Sequence, residues 1–156
     1  MNPAKNQMEI RIHAPRMKDA AALARLSTQL GYPVAPEQVV ARLQGILRDP
    51  NAAVFVAELA SGGVFGFVHL MHQQTLECDP RVEVAALVVD EDCRGQGVGR
   101  ALMARAEAWA RERGCRFVNL RSKMSRAAAH TFYASLGYEH YKSQKAFHKE
   151  LKPAKP

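Results

Sequence analysis

Glycine alternates with other residues in Arg94-Gly95-Gln96-Gly97-Val98-Gly99, between the apolar run Ala85–Val89 and an amphipathic stretch that reaches about Arg113. Glycines at the mouth of a helix let the backbone approach a ligand closely. The first N–H groups of a helix lack internal partners, and the helix dipole adds partial positive charge there. Strand, glycine loop and helix in that order predict a site for an anion, most often a phosphate.

Two familiar phosphate loops are excluded. A Walker-type loop needs Gly-Lys before Ser or Thr, and the chain has no Gly-Lys pair. A dinucleotide fingerprint needs Gly-x-Gly-x-x-Gly, but the third position is Leu102 counted from Gly97 and Arg100 counted from Gly95. What remains resembles the acetyl-CoA loop of the GNAT N-acetyltransferase superfamily, Arg/Gln-x-x-Gly-x-Gly/Ala. Two flanking blocks extend the resemblance. Glu83-Val84-Ala85-Ala86-Leu87-Val88-Val89-Asp90 is similar to that family's fourth strand, and the stretch Arg126 to Tyr138, with Phe132-Tyr133 and Leu136-Gly137-Tyr138, to its fourth helix.

The resemblance implies an acetyl-CoA-dependent enzyme that moves an acetyl group to a primary amine by direct attack in a ternary complex, a small-molecule acceptor being favoured. A non-catalytic acyl-CoA-binding or regulatory module and a protein-amine acetyltransferase are the alternatives. A free alkylamine has a pKa near 10, so only about one molecule in a thousand is nucleophilic at neutral pH, and a base within reach removes that handicap. Glu83, the only acid in Val82–Val89, matches the family's base. Tyr133 matches the tyrosine that protonates the departing CoA sulfur. The oxyanion is expected at the backbone N–H of Leu87, because fixed amide dipoles stabilise developing charge without reorganising. The backbone of Leu87, Val88 and Val89 would hold the pantetheine arm as an added strand, and the loop Gly95, Gln96, Gly97, Val98, Gly99 and Arg100 the pyrophosphate. Arg94 either pairs with phosphate or braces the turn. One departure stands out: Arg126, seven residues before Tyr133, occupies the place of an asparagine that contacts pantetheine in many relatives. Tyr32, His69 and His72 fall where the family often lines its acceptor pocket.

The elements that must position these groups follow from periodicity. Met8–His13 alternates as a strand, Asp19 opens a helix to Leu30, and Pro36 opens a second that ends at Asp49-Pro50-Asn51. Ala53–Leu59 and Val64–Met71 are predicted strands joined by Ala60-Ser61-Gly62-Gly63, followed by Val82–Val89. After the loop, Val98, Leu102, Met103, Ala106, Trp109 and Ala110 form one stripe of a helix closed by Gly114. A strand Phe117–Arg121, a helix Ser125–Leu136 and a closing hairpin of Tyr138–Lys142 with Lys145–Lys149 complete the order. That order and the resemblance imply an α/β (α+β) GNAT fold: a mixed central sheet of about six to seven strands with about four helices on both faces. The whole of 1–156 reads as a single domain with loose ends at 1–6 and 152–156.

Net charge is +7, and its placement is uneven. Residues 1–92 carry 8 Lys and Arg against 11 Asp and Glu, while residues 93–156 carry 14 against 4. The basic half is the half with the phosphate loop, so part of its field suits coenzyme A. It carries no interleaved basic and aromatic stripe of the kind that stacks bases, so no nucleic-acid partner is expected. Cys78, Cys93 and Cys115 have neither Cys-x-x-Cys nor zinc spacing, so reduced thiols and no metal are expected. The lack of a long apolar run predicts no membrane partner, and the expected reduced thiols predict a cytoplasmic protein. A homodimer is compatible with the family.

Overall fold

The computed structural model describes residues 9–156; the expected loose end at 1–6 and the start of the first strand at Met8 lie outside the described residues. One compact unit runs to Arg121 and a second spans Ser122–Pro156.

The first unit is a twisted sheet between helices. Its elements are β1 (Ile10–His13), α1 (Ala20–Leu30), α2 (Pro36–Arg48), β2 (Ala52–Leu59), β3 (Val64–Gln73), β4 (Arg81–Val89), α3 (Val98–Glu112) and β5 (Val118–Leu120). Strand order follows chain order, β1-β2-β3-β4-β5. The first three pairings are antiparallel, and β4 with β5 is parallel. A parallel pair needs a crossover, which α3 supplies.

Alternation along β3 sorts the layers. Phe67 packs with Leu23 and Leu26 of α1 and Leu43 of α2. Gly66, its neighbour, turns to α3: a Cβ built there would stand 3.0 Å from Val98 Cγ1 and 3.1 Å from Leu102 Cδ1. Glycine at this point lets helix and strand touch backbone to side chain. The apolar stripe of α3 is buried as its spacing predicts, from Val98 to Ala110. Each such large side chain contributes roughly 1.5–3 kcal/mol by leaving water. Asp19, read as the cap of α1, instead accepts from the Arg16 N–H at 2.7 Å and pairs with its guanidinium. The helix closes at Gly31 with φ of 105°.

The second unit contains α4 (Ala127–Ser135) and, among the described residues, no strand. The sheet therefore has five strands instead of six or seven, within the same α/β class. The expected hairpin Tyr138–Lys142 and Lys145–Lys149 fails for a local reason. Its centre, Ser143-Gln144, lacks the glycine or asparagine that a tight hairpin turn needs. His140 Nε2 instead bonds Ser143 Oγ at 3.0 Å, and Tyr141, Phe147 and Leu151 remain exposed. No helix among the described residues is long and apolar enough to cross a membrane.

Candidate active site

The glycine loop is built as its residue types require. Gly95 and Gly97 sit at φ of 76° and 88°, a region that costs an ordinary L-residue roughly 1–2 kcal/mol. A Cβ at either would meet nothing within 4 Å, so it is backbone conformation and not crowding that selects glycine, and the space beside the loop is open. The first helical hydrogen bond of α3 is donated by Ala101 to Gly97 O at 3.0 Å. The amides of Val98, Gly99 and Arg100 precede it, at the positive end of a 15-residue helix. Arg94 and Arg100 are both exposed at this end. The donor set suits a phosphate-bearing ligand.

A buried clamp fixes where the loop begins. Asp90 is 4% exposed. Its Oδ2 accepts from Arg25 Nη1 and its Oδ1 from the Asp92 N–H at 3.0 Å. Its own N–H donates to Phe65 O at 2.8 Å, and Arg25 Nη2 donates to Val64 O at 3.2 Å. Burial pushes the Asp90 carboxyl up, but Arg25 and the Asp92 amide outweigh it and hold the group below its ordinary value. Cys93, one turn on, is buried, and burial with the Asp90 and Asp92 carboxylates pushes its thiol up. That environment disfavours a nucleophilic thiolate.

The register of β4 contains the feature that the sequence hides. His69 pairs with Ala86 and Leu70 with Val84, so Ala85 is an extra residue in the β4 strand. Val88 belongs to the core under α1 and α2, and alternation puts Ala86 on that face. Without the bulge, the odd-numbered Glu83 would face α3. With it, Glu83 lies opposite Met71 and shares the face of His69 and Phe67. The Glu83 side chain is 15% exposed, and Arg121 donates to its Oε1 from Nη2 at 2.6 Å and Nε at 3.0 Å. Both bonds fall on one oxygen.

The same strand presents backbone donors. Asp90 N–H points to β3, so by antiparallel alternation the N–H groups of Val89 and Leu87 point away from it and that of Val88 towards it. On that outer side the β5 ladder covers only Val82–Val84. Past Val84, β4 offers an edge that leads towards the glycine loop.

Beside it, on the α1/α2 side of the sheet, lies a cleft of about 440 Å³ whose lining includes Tyr32, Arg42, His69, Ala85 and Ala86. Burial lowers the His69 imidazole from its ordinary value, which keeps it neutral near pH 7. His72 is not drawn to this cleft; three residues along β3, it lies on the opposite face, paired with Val82 and with Nδ1 3.3 Å from Asn51 Oδ1. In the second unit, Tyr133 is half-buried on α4, with ring centres 5.3 Å from Phe132 and 6.1 Å from Tyr138. Burial, partly countered by the Arg126 charge, raises its phenol, so the hydroxyl keeps its proton. Arg126 is the residue preceding α4 and is exposed. The bulge, the Arg25–Asp90 clamp, the Arg121 contact and the Arg42 lining had no local signature, since each joins residues distant in sequence.

Residues 19–138 match the sequence model of the Acetyltransferase (GNAT) family. The chain is 34% identical over 140 residues to aminoglycoside N(6')-acetyltransferase type 1 of Stenotrophomonas maltophilia, covering 87% of this chain and 90% of that protein. It is 37% identical over 103 residues to aminoalkylphosphonate N-acetyltransferase of Salmonella typhimurium, covering 64% of this chain and 66% of that protein. The fold is similar to that of AAC(6')-Iy solved with the bisubstrate analogue CoA-S-monomethyl-acetylneamine, with a TM-score of 0.79 and 22% identity over 92% of this chain and 99% of that one.

Proposed function

The chain belongs to the GNAT acetyltransferase family, and from that premise we propose that it transfers the acetyl group of acetyl-CoA to a small primary amine by direct attack in a ternary complex. Members of the family are acyltransferases that use acetyl-CoA. The observation that carries the reading is the Ala85 bulge. One extra residue turns Glu83 to the cleft's face of the sheet, while the Leu87 and Val89 amides line an edge that leads to the glycine loop.

Each group then has a task. Gly95, Gln96, Gly97, Val98, Gly99 and Arg100 receive the pyrophosphate on backbone amides and the α3 dipole, with Arg94 beside them. The edge at Leu87, Val88 and Val89 receives the pantetheine arm as an added strand. Tyr32 and His69 line the way in for the amine. Glu83 takes the ammonium proton, directly or through a water, while Arg121 steadies one of its oxygens. The attacking nitrogen forms the new C–N bond, and the Leu87 N–H stabilises the charge on the carbonyl oxygen. As the C–S bond breaks, Tyr133 donates its proton to the sulfur and is reprotonated, through solvent, by the proton that the new amide nitrogen gives up, and Arg126 sets a positive charge just before the same helix. No step needs a metal, and none of the described residues forms a cluster suited to one.

The test is CoA release from acetyl-CoA with a panel of primary amines, followed at varied concentrations of both substrates. Intersecting double-reciprocal lines are expected. Parallel lines with a burst of CoA in the absence of amine would indicate an acyl-enzyme and overturn direct attack.

A further inference from the structure

The cleft beside Ala86 carries information about the acceptor. Most of its wall is apolar, including Leu23, Leu43, Val54 and Phe67, and its polar lining is limited to Ser27, Tyr32, Arg42 and His69. No aspartate or glutamate lines it. The carboxylate assigned to the reacting ammonium, Glu83, stands on the same face of the sheet outside this lining, so the further ammonium groups of a polycation would find no carboxylate in the wall.

Arg42 is the one charged side chain of the lining. Helical spacing places it with Val39 and Ile46, three residues before and four after, and all three line the cleft. Several arginines of this unit are engaged, Arg16 and Arg25 with Glu58 and Asp90, and Arg105, Arg111 and Arg121 with Glu112, Glu107 and Glu83, and of those that are not, Arg42 is the one that lines the cleft. Arg42 makes no ion pair or hydrogen bond among the described residues. A guanidinium fork on the wall of an apolar cleft with no carboxylate in its lining suits a planar or tetrahedral oxyanion, which it can bind through two parallel N–H donors. His69 across the cleft is kept neutral by burial and adds no competing charge.

We propose that the acceptor is a small primary amine bearing a carboxylate, phosphonate or phosphate on a short apolar body, and that Arg42 anchors that oxyanion. The inference rests on the acetyltransferase reading and names its substrate class. It departs from the aminoglycoside named for the Stenotrophomonas relative and lies nearer to the aminoalkylphosphonate named for the Salmonella relative. The anion offsets the repulsion that Arg42 would exert on a bare ammonium, and its anchoring fixes which end of the molecule points towards β4.

The test compares four acceptors of stated charge in the CoA-release assay: 4-aminobutanoate, 3-aminopropylphosphonate, the uncharged-chain butylamine and the polycation neamine. The expected result is a kcat/KM for at least one of the two anionic amines about tenfold or more above that for butylamine and neamine. Comparing the two anionic amines tells carboxylate from phosphonate. Arg42→Gln should collapse the ratio towards one, and Arg42→Lys should keep part of it. Arg42 is exposed, so neither change threatens the fold. Equal or better turnover of butylamine or neamine, or a ratio untouched in Arg42→Gln, would overturn the inference and leave the transferase reading standing. CoA release with no amine at all would overturn both.

Discussion

Two glycines give opposite answers to the same substitution. At Gly66, an added Cβ would lie 2.9 Å from the Val88 carbonyl oxygen, 3.0 Å from Val98 Cγ1 and 3.1 Å from Leu102 Cδ1. Ordinary contacts at these positions exceed about 3.4 Å, so β4 and α3 must both retreat by a few tenths of an ångström. Overpacking of that kind costs about 1–3 kcal/mol. The lower chain entropy of alanine in the unfolded state returns about 0.5–1 kcal/mol. Gly66→Ala should therefore destabilise by up to about 2.5 kcal/mol, which for a chain of this size is a fall in Tm of up to roughly 10 °C. Gly45 lies inside α2, exposed and with nothing within 4 Å of an added Cβ. Gly45→Ala gains helix propensity with no clash, about 0.5–1 kcal/mol, or a rise of roughly 1–4 °C. Calorimetric scans of the two variants beside the wild type are the assay. Because Val98 is the first residue of α3, Gly66→Ala should also raise the KM for acetyl-CoA while Gly45→Ala leaves it alone. A Gly66→Ala protein as stable as Gly45→Ala would refute the close strand–helix approach on which the placement of the loop depends.

Glu83→Gln keeps the shape and removes the base, so kcat should fall roughly 100-fold or more with the thermal response to acetyl-CoA intact; Tyr133→Phe should lower kcat by about tenfold or more. Stopped-flow CoA release reads both, and unchanged turnover at every pH would remove the residue from the mechanism. Asp90 has a folded-state pKa below its unfolded one, so its stabilisation is fully present above about pH 4 and is lost as pH falls through the folded value. Asp90→Asn should cost about 1–2 kcal/mol at pH 7, discounted for the half-exposed Arg25. That deficit should narrow below pH 4, as read from urea midpoints; a constant deficit would contradict the pairing. Cys78 is exposed, while Cys93 and Cys115 are buried, so an aromatic disulfide reagent should titrate one thiol quickly in the native protein and all three in denaturant.

What the sequence made legible was what local chemistry decides. Gly95 and Gly97 stand where φ is positive, and few residues but glycine tolerate that. The stripe from Val98 to Ala110 marks α3 because burial and helical period agree. Alternation misled at the C-terminus: Tyr138–Lys149 has a strand-like pattern but no turn-forming centre, and it forms no strand. The Ala85 bulge was hidden for a different reason. Val82–Val89 is apolar on both faces, so a slip of one residue leaves no trace in composition, yet it decides which way Glu83 points. Arg25 and Asp90 lie 65 residues apart, and His69 and His72 read alike in the chain although β3 turns them to opposite faces. Arg42 looks like an ordinary solvated helix residue until the fold sets it on the wall of a cleft that Val54, Phe67 and Ala86 also line.

Thermal unfolding tests most directly whether the glycine loop and the β4 edge hold acetyl-CoA. With ligand at about 100 times its dissociation constant, stabilisation should be about 2.7 kcal/mol, a rise in Tm of roughly 5–10 °C for a domain of this size. The rise is expected with acetyl-CoA and with free CoA, and not with NAD. No rise at millimolar acetyl-CoA, or an equal rise with NAD, would contradict the assignment of the loop and the transferase chemistry built on it.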